Sequence, residues 1–121
     1  MIPTVQQATI LNGASLSNEL DLQGAEWLGF ELPASIDGAT SITFATAAEQ
    51  GGNAGVFQKL VDSTGAEVTM TVAAGENVSP TSALVALLAP WRYLKIRLGT
   101  SGAPVMASAN RVINVVLKSP S

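Results

Sequence analysis

Polar and apolar side chains alternate strictly in the stretch Glu67-Val68-Thr69-Met70-Thr71-Val72-Ala73. Because successive side chains of a β-strand point to opposite faces, Val68, Met70 and Val72 share one face and the polar residues take the other. Turn-forming residues bound the stretch on both sides, as Asp62-Ser63-Thr64-Gly65 and Gly75-Glu76-Asn77. The pattern predicts a strand of an antiparallel sheet with one face in the core and one in water.

Similar runs lie on either side of this strand and are separated by further turn signals. The strongest of these is Asn12-Gly13, a dipeptide typical of a two-residue hairpin turn with positive φ at both positions. Eight strands are predicted in all: Val5–Leu11, Leu16–Leu22, Trp27–Leu32, Thr40–Thr46, Val56–Val61, Glu67–Ala73, Trp91–Leu98 and Arg111–Lys118. The last is apolar on both faces, which indicates a central or interface-covered strand.

One segment, residues 79–90, has prolines near both ends and helix-forming residues between them. Ser79 as an N-cap with Pro80 in the first turn predicts a short helix near residues 80–89, which Pro90 ends. The strands and this helix predict an all-β fold, an antiparallel, jelly-roll-like β-sandwich that forms a single domain over residues 1–121. An immunoglobulin-like sandwich is the alternative topology.

Composition narrows the chemistry that the chain can perform. Hydrophobic residues make up 47% and charged residues 12% of the 121 residues, and neither Cys nor His is present. Without them, Ser-His-Asp and Cys-His triads and zinc sites of ordinary composition are excluded, and we expect no metal and no cofactor. Six basic residues and a net charge of −3 also argue against nucleic acid as a partner.

Neither a targeting segment nor a membrane span is apparent. Residues 1–5 lack the basic and apolar regions of a signal peptide. The most apolar run, residues 83–89, is far shorter than the about 20 residues that cross a bilayer. We therefore expect synthesis in the cytoplasm and no membrane partner.

Two carboxylates are the remaining candidates for catalysis. Glu19 and Asp21 alternate onto one face of a predicted strand, and glycoside hydrolysis needs two acids about 5 to 10 Å apart. A solvated outer face explains the same pattern, and no aromatic platform for a sugar ring lies nearby. We therefore predict that the chain is not an enzyme.

Two groups of residues are candidates for partner contacts. Trp91, Tyr93, Lys95 and Arg97 are predicted to form an aromatic–basic strip that could bind a glycan, an acidic surface or a partner chain. The chain ends, residues 1–7 and 119–121, are predicted as extended arms that add a strand to a neighbour's sheet. Met1, Ile2 and Pro3 are the contact residues assigned to the first arm.

The second half of the chain resembles a known group of proteins. The features are Phe57–Val68, then Trp91–Arg97, Gly99-Thr100, Pro104, and Arg111 at the start of a last apolar strand. Over residues 25 to 118 the chain resembles small structural proteins of tailed-bacteriophage virions, of the capsid decoration or cement type. No site residue can be carried over from the group, because the shared features are turns and strands.

The resemblance implies a location on the capsid surface of a virion. There the protein would bind the outside of a phage head, contact the major capsid protein and copies of itself as a dimer or trimer, and stabilise the capsid. The alternative function is a tail- or fibre-associated module that recognises a host-surface glycan or another virion protein.

Overall fold

The computed structural model describes residues 4–22, 25, 27–48 and 57–118. Within these residues the strands are β1 (Thr4–Ile10), β2 (Leu20–Asp21), β3 (Trp27–Glu31), β4 (Ser41–Ala47), β5 (Gln58–Lys59), β6 (Thr69–Thr71), β7 (Asn77–Val78), β8 (Tyr93–Leu98) and β9 (Arg111–Lys118). A helix, α1 (Ser82–Leu88), lies between β7 and β8.

The strands form two antiparallel sheets. Sheet A has the order β1-β9-β3-β7, and sheet B has the order β2-β8-β4, with both β5 and β6 on the far side of β4. β6 pairs with Ser41–Thr43 and β5 with Ala45 and Thr46. The two short strands therefore act as one interrupted strand along a single edge of β4.

The connections distinguish between the two predicted topologies. When β5 and β6 are taken together, each connection except that from β4 to β5 crosses from one sheet to the other. This order is that of an eight-stranded jelly roll, whereas an immunoglobulin-like sandwich places its first two strands in the same sheet. The prediction of an all-β, jelly-roll-like sandwich is confirmed.

The core lies between the sheets and is built from inward-facing apolar side chains. Phe30 of sheet A and Phe44 of sheet B meet across it, with ring centroids 6.1 Å apart. Val68, Met70 and Val72 are all buried, which confirms the alternation that defined this part of the sequence. α1 adds Leu84 and Leu88 to the same core.

β9 is a central strand, as its apolar sequence indicated. β1 pairs with one side of it from Thr4 to Ile10, and β3 pairs with the other side from Trp27 to Glu31. Ile113, Val115 and Leu117 are buried on its inner face.

The second predicted strand, Leu16–Leu22, is interrupted by a bulge. Leu16 bridges Arg97, and Leu20 pairs with Leu94. The segment from Leu16 to Leu20 therefore contains one residue more than the segment of β8 that it faces. An extra residue of this kind disturbs the alternation of side chains. Simple alternation along Leu16–Leu22 would place Ser17 on the water-facing side with Glu19 and Asp21, but Ser17 is buried, and its hydroxyl accepts a hydrogen bond from the Ile96 N–H at 2.9 Å. The same alternation predicts that Leu16 and Leu20 share a face, and this prediction is wrong because of the bulge.

Asn12-Gly13 forms a turn, but not the predicted hairpin. Gly13 has a φ of 84°, while Asn12 does not have a positive φ, and the Ala14 N–H donates to the Leu11 carbonyl at 2.9 Å. A positive φ at the third position alone is typical of a type II turn. The strands that flank the turn belong to different sheets.

The helix begins later than predicted. Its N-cap is Thr81, whose Oγ1 accepts a hydrogen bond from the Leu84 N–H at 3.2 Å, and not Ser79. The predicted end before Pro90 is confirmed. Upstream of the helix, β7 pairs with Phe30 and Glu31 in a region predicted as a turn.

Candidate interaction surfaces

Arg97, predicted as a partner contact, takes part in an ionic network on the outer face of sheet B. Its Nη1 lies 3.5 Å from Glu67 Oε2, and the same atom donates a hydrogen bond to Thr43 Oγ1 at 3.4 Å. The Arg97 and Glu67 side chains are only 15% and 16% exposed. Glu67 also accepts a hydrogen bond from the Ser101 N–H at 3.1 Å. A partner carboxylate that approached Arg97 would have to displace Glu67.

The neighbours of Arg97 in the strip also have partners within the chain. Lys95 Nζ lies 4.6 Å from the centroid of the Phe57 ring. The Arg92 guanidinium carbon lies 5.3 Å from the centroid of the Tyr93 ring, and Tyr93 is itself buried. Both contacts are cation–π interactions, so the strip offers little open aromatic surface to a ligand.

Trp91 lies two residues before the start of β8. It is half-buried and packs against the core. It lines a cleft of about 250 Å³ together with Thr46, Ala47, Ala48, Gln58, Lys59, Leu60 and Val61. Trp91 therefore contributes to a cleft beside β4 and β5.

A second ionic cluster joins the connection between β3 and β4 to the start of β9. The guanidinium of Arg111 donates to both carboxylate oxygens of Asp37, from Nε to Oδ2 at 3.0 Å and from Nη2 to Oδ1 at 2.9 Å. Ser108 Oγ donates to Asp37 Oδ1 at 2.6 Å. No pattern in the sequence indicated this cluster, because Asp37 and Arg111 lie 74 residues apart.

Two side chains donate hydrogen bonds to the Asp37 carboxylate of this cluster. The hydrogen bonds from Arg111 and then from Ser108 hold the pKa of Asp37 well below its usual range. A carboxylate with so low a pKa is a poor general base near neutral pH.

Asp21, one of the two candidate catalytic carboxylates, is bound by an exposed arginine. Arg92 donates from Nε and Nη2 to the two carboxylate oxygens of Asp21, each at 3.3 Å, and its own side chain is 62% exposed. Among the described residues, no group of acidic side chains could hold a metal ion. Within the same residues, no helix is long and apolar enough to cross a membrane.

β1 is an edge strand of sheet A, and its edge is closed at one end. The Thr9 N–H donates to Asn18 Oδ1 at 2.7 Å, and the Thr9 carbonyl accepts from the Asn18 N–H at 3.3 Å. Since backbone groups of alternate residues point the same way, Val5 and Gln7 also direct their N–H and C=O groups away from β9. None of the described residues forms a hydrogen bond with these outward groups.

The position of β1 also bears on the predicted arms. Residues 4–7, assigned to the first arm, are paired with β9 in the sheet, so this part of the arm is not free. The Gln6 side chain accepts from the Asp21 N–H at 3.1 Å and donates to the Asp21 carbonyl, which anchors β1 to β2. Met1, Ile2 and Pro3, and the second arm at 119–121, lie outside the described residues.

The outer face of sheet A differs from that of sheet B in having few charges. β1, β9 and β3 direct onto it the side chains of Val5, Gln7, Thr9, Val112, Asn114, Val116 and Glu31. The charged residues of these described strands are Glu31, Lys118 at the end of β9, and Arg111 at its start, which binds Asp37. Near the centre, Asn114 Oδ1 is buried and accepts no hydrogen bond from the residues that the structure describes.

Comparison with protein-family models, with curated proteins and with solved structures gave no match.

Proposed function

We propose that the chain is a non-enzymatic structural protein of a tailed-phage virion. It binds the outside of the head and stabilises the capsid as a decoration or cement protein. Its partners in this role are the major capsid protein and further copies of itself.

The observation that carries the proposal is the outer face of sheet A. Its neutral side chains include Val112 and Val116, which are half-buried on a central strand, and Val5, which is 57% exposed. Burying such residues against a partner is favourable by about 25 cal/mol for each Å² of apolar surface removed from water. A stable partner interface commonly covers about 800 Å² of each chain, and a face of three strands is large enough to contribute to it.

Asn114 is consistent with the same use of this face. A buried carbonyl oxygen without a donor costs about 1–3 kcal/mol, and the Asn114 Oδ1 atom is in that position. A donor from a partner, reached by rotation of the amide, would remove this cost. Among the described residues of sheet B, no buried side-chain oxygen or nitrogen lacks a hydrogen-bond partner, and Glu67 binds Arg97 and Ser101.

The carboxylates support the non-enzymatic part of the proposal. Asp37 is bound by Arg111 and Ser108, and Asp21 by Arg92. Each of these acids joins parts of the chain that are distant in sequence. Their roles are therefore accounted for by the fold.

The cleft beside Trp91 favours the alternative of a tail- or fibre-associated glycan-binding module. It combines an indole with the polar side chains of Gln58 and Lys59, and sugar-binding sites need an aromatic surface and hydrogen-bonding groups together. Binding of the isolated chain on a glycan array, lost in Trp91→Ala, would support this function over capsid decoration.

The copy number in purified virions is the first test of the proposal. Quantitative mass spectrometry should give a copy number comparable to that of the major capsid protein. A number typical of tail proteins would support the alternative, and absence from the particle would refute both.

A charge placed on the proposed face tests the surface itself. Val116→Glu should weaken binding to capsids that lack the protein by about tenfold or more, because a carboxylate would be buried without a partner. Thr71→Glu is the matched control, since Thr71 is exposed on the outer face of sheet B. Circular-dichroism melting checks that both variants fold. If Val116→Glu does not fold, Gln7→Glu replaces it, since Gln7 is an exposed residue of the same face. Equal binding by both variants would contradict the assignment of this face.

A further inference from the structure

We propose that the open edge of β1, the backbone from Val5 to Gln7, pairs with the same edge of a second copy of this chain. The two β1 strands run antiparallel about a two-fold axis at Gln6, and the two A sheets join into one continuous sheet. This assignment does not depend on the proposed function, because it concerns the isolated chain.

The edge lacks the features by which natural sheets prevent such pairing. Edge strands are commonly protected by charged residues, by proline or by a bulge. The strand Thr4–Ile10 contains no charged residue and no proline, and it pairs with β9 through seven consecutive residues without a bulge. Two such edges can approach each other without charge repulsion.

Only one register allows all the outward N–H and C=O groups of Val5 and Gln7 to form hydrogen bonds. An axis at Gln7 would place Val5 opposite Thr9, whose backbone is already bound to Asn18. An axis at Val5 would place Gln7 opposite Pro3, which has no N–H to donate. An axis at Gln6 places Val5 opposite Gln7 of the second copy, and each such pair exchanges both of its N–H···O bonds.

The closure at Thr9 limits the contact to a short length of strand. The dimer is therefore expected to be weak in free solution. When many copies are held close together on a surface, their effective concentration rises and the same contact becomes populated. Because an isologous contact about a two-fold axis is closed, this edge forms dimers and not trimers.

Disulfide trapping tests the register directly, since the chain has no Cys of its own and a single introduced Cys can link only two copies. Opposite residues of a non-hydrogen-bonded antiparallel pair have Cα atoms about 4.5 Å apart, within the range of a disulfide. Gln6→Cys should therefore form a covalent dimer under mild oxidation. Gln7→Cys is the matched control, because its two copies would lie about 8 Å apart, beyond that range.

Sedimentation velocity of the full chain over a range of concentrations provides the second measurement. Gln7→Pro removes the outward N–H without removing a bond to β9, and it should weaken self-association by about tenfold through the loss of two hydrogen bonds. Gln7→Ala should associate like the wild type. If Gln7→Pro does not fold by circular dichroism, Val5→Lys, which places a charge at the exposed edge, replaces it.

The proposal predicts preferential cross-linking of Gln6→Cys and a concentration-dependent dimer that Gln7→Pro weakens. Equal cross-linking of the two Cys variants, a wild type that stays monomeric at the highest concentration, or a trimer would overturn it. None of these results affects the capsid-binding test of Val116→Glu, so the two proposals can fail separately.

Discussion

Replacement of Gly99 by Ala should be among the most destabilising single-methyl changes in this chain. Gly99 follows β8 directly, and its φ is 79°. A Cβ at this position would lie 2.6 Å from the Ala103 carbonyl oxygen and 3.1 Å from the Val105 amide nitrogen. Both atoms belong to the backbone, so no side-chain rotation can relieve the contact.

Two costs add at Gly99. A left-handed backbone costs an L-residue about 1–2 kcal/mol, and forcing an extra carbon into a packed region costs about 1–3 kcal/mol. The expected loss of unfolding free energy is therefore about 2–5 kcal/mol. Such a loss is a large part of the about 5–15 kcal/mol that stabilises a typical domain.

Gly65→Ala separates the two costs. Gly65 has a φ of 84°, but no atom lies within 4 Å of the position that its Cβ would occupy. This variant should therefore lose only the backbone cost, about 1–2 kcal/mol. Urea unfolding followed by tryptophan fluorescence gives both values. Equal losses at the two glycines would refute the steric explanation for Gly99.

Two further predictions concern contacts that the structure shows and the sequence did not predict. Asp37→Asn tests the cluster with Arg111. The pKa of Asp37 is lower in the folded chain than in the unfolded chain, where it is about 3.9. The ionised carboxylate therefore stabilises the fold above about pH 3.9, and this stabilisation is lost as the pH falls toward the pKa of the folded state. The urea midpoints of wild type and variant should differ at neutral pH and converge in acid, and a constant difference would contradict this linkage. Thr81→Ala should lower the free energy of unfolding by about 1 kcal/mol through loss of the helix cap, whereas Ser79→Ala should melt close to the wild type. A larger loss for Ser79→Ala than for Thr81→Ala would identify Ser79 as the N-cap instead.

The sequence predicted those parts of the fold that depend on local patterns. Val68, Met70 and Val72 alternate with polar residues over a full strand, so their burial follows from the geometry of the strand alone. The sequence of β9 is apolar on both faces of the strand, and this pattern likewise indicated its central position. Both features are set by residues that lie next to one another in the chain.

Other features depend on residues that are distant in sequence. The pairing of Asp37 with Arg111 exists only after the chain connections cross between the sheets. The bulge before Leu20 depends on how that segment pairs with β8, which its own alternation does not reveal. Ser79 and Thr81 are both suitable N-cap residues. Which of them caps the helix depends on where the helix begins, and this is set by the end of β7 and by the packing of the helix against the core.

The candidate surfaces were predictable to a smaller extent. Lys95 and Arg97 do lie on one outer face, but their partners Phe57 and Glu67 come from other segments, and their presence changes what the face can bind. The open edge at Val5 and Gln7 becomes apparent only when Asn18 is seen to close the edge at Thr9.

The interruption between β5 and β6 makes one loop of the sandwich suitable for carrying foreign sequence. Leu60 and Val68 are both buried at the base of this loop, and the Val68 N–H donates to the Leu60 carbonyl at 3.0 Å. The tip, residues 63–66, is exposed, and the free energy of closing a loop grows only slowly with its length. A peptide inserted between Thr64 and Gly65 should therefore leave the sheets intact, which offers a position for epitope display or for a label in particle imaging.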